Sequence, residues 1–453
     1  MKQPPSQGSS RALPIVYALP FLAHSIVYSP LITLIPSYYS GDLGLPLALV
    51  GIAMVVARLT DVVTDPLVGM LSDRTRTRYG RRKPWIAAGL PLLMMSCWML
   101  FVPARPVDFW YATMWLSLIY LGFTIVDLPY RAWGAELSRD YHERTRISAW
   151  REGFGMVSGI LTLLLLFALP KFGYAGTGAT LKVLAVIAIV AMPLLFAITM
   201  ARVPEPEPEQ FRGDRVSLFA GLKTVVRNRP FLTICAATLF LMAGAVIGAS
   251  LHLIVIAHVF KAAQMFPQII LAESLATIAA VPLWTRLAGK IGKHRAMAAA
   301  VLWLAVWSAP IPLLGSDDVY IFFAVITIRG ISLGALAVLL PAMLADTVDL
   351  DKSQTGEERT GLFFAVSGMV AKLAVALGVL IGTGLPPIFG FETANPANSS
   401  DSLFALSVVY AWVPMVIMAC AAPFFWRYSL TREAQIALRQ TIEQRIDQAK
   451  PVR

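Results

Sequence analysis

Arg58, Asp61 and Asp65 stand in the run ARLTDVVTDPLVGML, an otherwise apolar stretch. On a helix their spacings of three, four and seven residues place all three on one face, with Asp61 one turn from Asp65. An ionisable group at a bilayer centre costs roughly 2.5–3.5 kcal/mol or more, so three of them on one apolar helix require a reason. Two carboxylates sharing a low-dielectric site cannot both stay ionised unless a cation lies beside them; otherwise one keeps a proton. One guanidinium against two acids leaves a deficit of positive charge, and a site of that kind takes up Na⁺ or H⁺ and releases it when its surroundings change. Thr64, beside this face, offers a hydroxyl oxygen to a hard-cation shell. The competing reading makes Arg58 a permanent interhelical brace for the pair.

A second group of polar residues suits a solute. Asp127, in GFTIVDLPYRAW, has Thr124 one turn earlier and Pro129 loosening the backbone after it. It can accept hydrogen bonds from a polyol or help hold the ion. Arg131, and Arg151 in SAWREGFG, are long donors that can pair with Asp127 or Glu152. Lys372 is a charge deep in the apolar run GMVAKLAVALG. It needs an anionic partner, for which the surplus carboxylate of the first group is the candidate. Glu273 and Arg329 are placed to satisfy each other, and His24 is either a ligand or a hydrogen-bonded packing residue.

The elements that must position these residues are long apolar runs. Of 453 residues, 57% are hydrophobic and 14% charged, and the mean hydropathy is +0.67. That composition fits a polytopic membrane protein and excludes an ordinary soluble fold. Runs of about 20 apolar residues suffice to cross a hydrocarbon core. They fall at about 14–39, 46–71, 84–104, 108–136, 147–169, 180–201, 230–259, 262–288, 295–315, 318–345, 361–386 and 402–428. The formal net charge of +11 sits in short connections between these runs rather than on a face for nucleic acid. Cytoplasmic retention and anionic headgroups account for it. Cys97, Cys235 and Cys420 lie inside apolar runs without metal-like spacing, so neither a disulfide framework nor a metal centre is expected.

The even-numbered connections, such as DRTRTRYGRRK and SRDYHERTR, hold the Lys and Arg residues, whereas odd-numbered ones such as KFGYAGTGAT are poor in them. The positive-inside rule then puts both termini in the cytoplasm. The expectation is an all-α integral protein of the inner or plasma membrane, with twelve spans in two pseudo-symmetric six-helix bundles, acting as a monomer in the bilayer. Residues 1–13 form a cytosolic lead without a signal peptide, 14–201 the first bundle and 202–229 a cytosolic middle loop. Residues 230–428 form the second bundle and 429–453 a cytosolic tail. Within the middle loop PEPEPE is stiff and extended and SLFAGLKTVVR is a short amphipathic surface helix.

A weak internal repeat supports the division. GMLSDRTRTRYGRRKPW after the second span is echoed by PLWTRLAGKIGKHRAM after the eighth, and LPYRAWGAELSRDYHERTR after the fourth by LPAMLADTVDLDKSQTGEERT after the tenth. The second echo aligns Pro129 with Pro341, Glu136 with Asp346, and the pair Glu143 and Arg144 with Glu358 and Arg359. Such repeats characterise transporters whose sites lie near the midplane between halves. In the first loop, Asp73 is placed to pair with the following arginines, Arg78 and Arg82 among them, and to cap a neighbouring helix. A charge cluster of this kind is a latch that breaks when the cytoplasmic side opens.

The run DVVTDPLVGMLSDRTRTRYGRRKPW, with DLPYRAW and the Ala-Lys-Leu of the eleventh span, resembles the glycoside-pentoside-hexuronide:cation symporters. This is the melibiose-permease group of the major facilitator superfamily, and the resemblance covers nearly the whole chain. It implies a cation site at Asp61, Thr64, Asp65 and Thr124, a sugar contact at Asp127, a matching Arg151, and Lys372 as the residue coupling the two halves. Two departures stand out: the first-span Asp of the group is replaced by His24 and Ser25, and a fourth-span aromatic by Arg131. Both shift the expected solute from a galactoside toward a uronide or an amphipathic anion.

The function so implied is cation-coupled symport of a glycoside-like solute by alternating access, with Na⁺ or H⁺ as coupling ion and no other cofactor. Alternatives are cation-coupled transport of a lysophospholipid or similar amphipathic anion, and a non-transporting membrane sensor or scaffold. No nucleophile-base pair or phosphate-binding glycine loop is present in the sequence, so an enzyme is not expected.

Overall fold

The computed structural model describes residues 12–138, 141–174, 176–205, 228–355, 360–426 and 428. Among them twelve helices are long and apolar enough to cross a membrane. The first six are α1 (Leu13–Thr33), α2 (Leu47–Arg74), α3 (Lys83–Phe101), α4 (Phe109–Glu136), α5 (Tyr141–Ala168) and α6 (Thr177–Arg202). The second six are α7 (Arg229–His258), α8 (Phe266–Ile291), α9 (Lys293–Ser308), α10 (Val319–Thr355), α11 (Thr360–Ile388) and α12 (Ser400–Ala419). The described residues hold no β-strand. Backbone groups paired within helices are what a hydrocarbon environment demands.

Outward faces have the matching chemistry. On α6, Val186, Val190 and Leu194 recur every fourth residue and are 47%, 62% and 57% exposed. A stripe of large apolar side chains at helical spacing belongs against lipid rather than water. The chain is an integral membrane protein.

The chain divides into two compact units, Met1–Phe211 and Arg212–Arg453. Within the first, α1 packs on α5 and α6, α2 on α4, and α3 on α4 and α6. Within the second, α7 packs on α11 and α12, α8 on α10, and α9 on α10 and α12. One scheme becomes the other when each helix is replaced by its counterpart in the second half, so the faint echo between loops accompanies a repeat of the packing itself. Close approach of α8 and α10 depends on Gly334, where a Cβ would lie 2.6 Å from the Thr277 carbonyl oxygen. The core of the second unit is built around Phe231, Trp284, Met297, Leu339 and Phe363.

Several helix boundaries depart from the apolar runs. The expected continuous span at 14–39 is broken: helices run over Leu13–Ala18 and Phe21–Thr33, followed by a short turn at Ile35–Ser37 and a π-helical turn at Tyr38–Asp42. Pro20 has no N–H to offer the Val16 carbonyl, and Thr199 Oγ1 of α6 donates to that oxygen at 2.8 Å. Beside it, Tyr17 Oη donates to the Tyr130 carbonyl at 2.7 Å, and Tyr130 Oη donates to the Tyr17 carbonyl. The break thus ties α1 to α4 and α6.

The tenth apolar run ends near 345, yet α10 continues to Thr355. Its 37 residues span about 55 Å at 1.5 Å per residue, more than the hydrocarbon core. Polarity ended the apolar run, but nothing from Ala345 to Thr355 breaks a helix. Conversely α9 stops at Ser308 because Pro310 and Pro312 follow. The expected amphipathic helix at 217–227 and the tail at 429–453 lie outside the described residues.

Candidate functional site

Arg58 and Asp61 of α2 are 6% and 2% exposed, buried where an uncompensated charge would be strongly destabilising. Arg58 Nη1 lies 3.5 Å from Asp61 Oδ2, and Nη2 donates to Tyr28 Oη at 3.1 Å. The guanidinium also sits 3.9 Å from the centroid of the Tyr120 ring, a cation–π contact that offsets part of its lost hydration. Its planar fork serves α1, α2 and α4 at once, which an ammonium cannot do.

One turn along α2, Asp65 Oδ1 accepts a hydrogen bond from Thr124 Oγ1 of α4 at 2.9 Å. Between the two acids, Thr64 Oγ1 is buried without a hydrogen-bond partner. The side chains of Asp61, Thr64, Asp65 and Thr124 offer only oxygen donors, a chemistry that suits a hard monovalent ion or a proton and not a soft metal. Among the described residues no group of three His, Cys, Asp or Glu is arranged for a transition metal.

Asp127 follows Thr124 by three residues on α4, so the two acids Asp65 and Asp127 are linked through less than one turn of helix. His24 Nε2 lies 3.5 Å from Asp127 Oδ2, and Arg131 Nη2 lies 3.6 Å from the same oxygen. Arg151 of α5 pairs with Glu152, Nη2 to Oε1 at 2.8 Å, and Glu152 Oε1 is 3.9 Å from Arg131 Nη1. Both guanidinium groups face the buried Phe21 ring, at 5.6 and 5.5 Å. Arg131 is 45% exposed, more than Asp127 beside it. Lys372 lies partly buried on α11 of the second unit.

Sequence reasoning singled out His24 but missed its neighbours. Phe21 stacks on His24 at 4.8 Å, His24 on Tyr28 at 5.5 Å, and Phe123 meets His24 and Tyr28 edge-on at 5.4 and 5.8 Å. The signal available was the spacing of Phe21, His24 and Tyr28, which puts three rings on one helix face.

At the end of α2 the latch cluster takes a different form from the one expected. Arg82 Nη2 contacts Asp73 at 2.5 Å and Glu136 at 2.8 Å, Arg81 contacts Glu136 at 2.7 Å, and Arg82 Nη1 donates to Ser72 Oγ at 2.9 Å. Asp73 does not cap α3. That role belongs to Glu205, whose Oε1 accepts from the backbone N–H groups of Arg81 and Arg82, both at 2.6 Å, and whose Oε2 accepts from Lys83 N at 3.2 Å. A carboxylate there satisfies the open donors of a helix start and complements its dipole. Lys83 Nζ donates to the Val203 carbonyl at 2.8 Å and Trp133 Nε1 to the Pro204 carbonyl at 3.1 Å. Arg78 lies over the Tyr79 ring at 4.6 Å, apart from this cluster. Glu143 accepts from Ser138 Oγ at 2.6 Å. The Arg144 side chain, Glu358 and Arg359 lie outside the described residues.

The second unit repeats part of this plan: Lys293 at the start of α9 pairs with Asp346 on α10 at 2.6 Å, as Arg82 beside the start of α3 pairs with Glu136 on α4. Glu273 and Arg329 pair across α8 and α10 at 2.8 Å, as their sequence positions implied.

A family model described as MFS/sugar transport protein matches residues 16–432. The isoprimeverose transporter of Lactiplantibacillus pentosus is 27% identical over 416 residues, covering 88% of this chain and 85% of its own. The putative glycoside/cation symporter YagG of Escherichia coli (strain K12) is 25% identical over 455 residues, covering 97% and 96%. The crystal structure of the nucleoside transporter NupG superposes with a TM-score of 0.66 at 12% identity, over 92% of this chain and 100% of that one, a likeness of fold alone. Twelve apolar helices, the repeated packing of two six-helix units and a family match over nearly the whole length agree: the chain belongs to the MFS/sugar transport protein family and is a membrane transporter, not an enzyme.

Proposed function

We propose that the protein is a cation-coupled symporter of a glycoside-like solute, working by alternating access. Na⁺ or H⁺ binds at Asp61 and Asp65 with Thr64 and Thr124, and the solute binds at Asp127, Arg131 and Arg151. The observation that carries the reading is the 2.9 Å contact of Thr124 with Asp65. It sets an ion-type oxygen cluster less than one helical turn from a second, solute-facing acid, so that filling one site alters the other through rigid backbone. The relatives' names, an isoprimeverose transporter and a glycoside/cation symporter, support a sugar-like solute and an ion partner. Arg131, exposed beside Asp127, favours a solute that carries a carboxylate, because a guanidinium recognises that group with two parallel hydrogen bonds.

Coupling follows if fully loaded and fully empty proteins rearrange while the half-loaded one does not. The test is uptake of methyl β-D-xyloside, methyl β-D-glucoside and methyl β-D-glucuronide into proteoliposomes under imposed Na⁺ or H⁺ gradients. Accumulation driven by one gradient is expected. Uptake indifferent to both would sink ion coupling, and transport of lysophospholipid instead would overturn the solute assignment.

A further inference from the structure

Two chains of contact leave the ion cluster toward Asp127. One is α4 itself, through Thr124. The other runs from Asp61 to Arg58 at 3.5 Å, from Arg58 Nη2 to Tyr28 Oη at 3.1 Å, from the Tyr28 ring to the His24 ring at 5.5 Å, and from His24 Nε2 to Asp127 Oδ2 at 3.5 Å. This second route is continuous and lies wholly within the first unit.

We propose that Tyr28 is a positioning residue that transmits the charge state of Asp61 to His24 and so to Asp127, an inference that rests on the cation-coupled reading above. The argument is electrostatic and steric. Arg58 is held by three partners: the Asp61 carboxylate, the Tyr28 hydroxyl and the Tyr120 ring. Neutralising Asp61, by a proton or a bound cation, removes the anionic one. The guanidinium then leans on the two phenols, of which Tyr120 is fully enclosed, 1% exposed, and has nowhere to move. Tyr28 is the partner that can yield.

Its ring is stacked on His24, and Phe123 closes the edges of both rings, so a shift of Tyr28 becomes a shift of the imidazole. Phe21 backs the other face of His24 at 4.8 Å. The imidazole is therefore guided along the stack rather than free to tilt, and its Nε2 moves relative to Asp127. Interiors packed in this way pass on a displacement instead of absorbing it. The charged groups facing His24 are Asp127 from α4 and, behind Phe21, Arg131 and Arg151.

The experiment needs neither the coupling ion nor the solute, so its outcome is separate from that of the uptake panel. Asp61→Asn stands for the neutral state of the ion site. In purified full-length protein in nanodiscs, the rate at which diethyl pyrocarbonate modifies His24 is read by peptide mass spectrometry. The four chains compared are wild type, Asp61→Asn, Tyr28→Phe and the double variant. Tyr28→Phe keeps the stacked ring and removes only the hydroxyl that receives Arg58.

Asp61→Asn is expected to change the His24 rate by about fivefold or more when Tyr28 is present, and by less than about 1.5-fold alongside Tyr28→Phe. An equal effect of Asp61→Asn in both backgrounds, or no effect in either, overturns the proposal. Arg58→Lys, which keeps the charge and removes the Nη2 donor, breaks the same contact from the other side. It must suppress the Asp61→Asn effect as Tyr28→Phe does, and an undiminished effect there overturns the proposal equally. Since a merely structural Tyr28 would make Tyr28→Phe shift the His24 rate by the same factor with or without Asp61→Asn, the selective loss of the Asp61→Asn effect marks transmission.

Discussion

The carboxylate of Glu205 occupies the space that any side chain on Gly80 would need: a Cβ at Gly80 would lie 2.1 Å from Glu205 Oε2. Gly80 also holds a φ of 105°, a conformation that L-residues rarely adopt. The turn before α3 and the segment after α6 are thereby fastened at one point, with Glu205 bonded to three consecutive backbone N–H groups.

Gly80→Ala is expected to destabilise the first unit by about 1–3 kcal/mol, from left-handed strain and displacement of Glu205. Glu205→Ala, which removes the cap without the strain, is expected to cost about 0.5–2 kcal/mol. Thermal unfolding in detergent measures both, and an alanine at position 80 that leaves the melting temperature untouched would contradict the clamp.

Asp65→Asn is expected to abolish gradient-driven accumulation, since it removes the charge that an ion must meet. Thr124→Val keeps the shape and deletes the hydroxyl that donates to Asp65. A hydrogen bond to a charged group contributes about 1.5–3 kcal/mol, so the half-saturating cation concentration should change by about tenfold or more. Initial uptake rates across a cation series decide the matter; unchanged half-saturation in Thr124→Val would remove Thr124 from the ion site.

Arg58→Met leaves Asp61 buried without its guanidinium partner, and breaking a buried pair from one side costs about 3–5 kcal/mol. The double variant Arg58→Met with Asp61→Asn should recover a large part of that loss, because no bare charge remains. Unfolding of the single and double variants forms the cycle. A double variant no better than Arg58→Met would show that Arg58 is held mainly by Tyr120 and Tyr28.

Arg131→Gln is expected to lower uptake of methyl β-D-glucuronide about tenfold relative to methyl β-D-glucoside, because the fork that pairs with a carboxylate is lost while the polyol acceptor Asp127 stays. Competition between the two glycosides in one vesicle preparation reads the ratio directly. Equal losses for both would make Arg131 a structural partner of Asp127 and Glu152.

Composition and spacing alone determined that the chain holds twelve runs long and apolar enough to cross a bilayer, that it repeats after six of them, and that Arg58, Asp61 and Asp65 share a helix face. These follow from local rules: an apolar run of fixed length spans hydrocarbon, and residues three and four apart on a helix are neighbours. The Glu273–Arg329 pair was legible for a similar reason, since a charge in an apolar run must find its opposite in another. What the sequence left open was every question of which helix meets which. Only the tertiary structure gave Arg58 its two phenols, from α1 and α4, and put Glu205 rather than Asp73 on the start of α3. It also seated His24 in a stack of rings facing Asp127. Those contacts join residues 30 to more than 100 positions apart. They are settled by how helices pack, a property of whole faces and not of any local spacing.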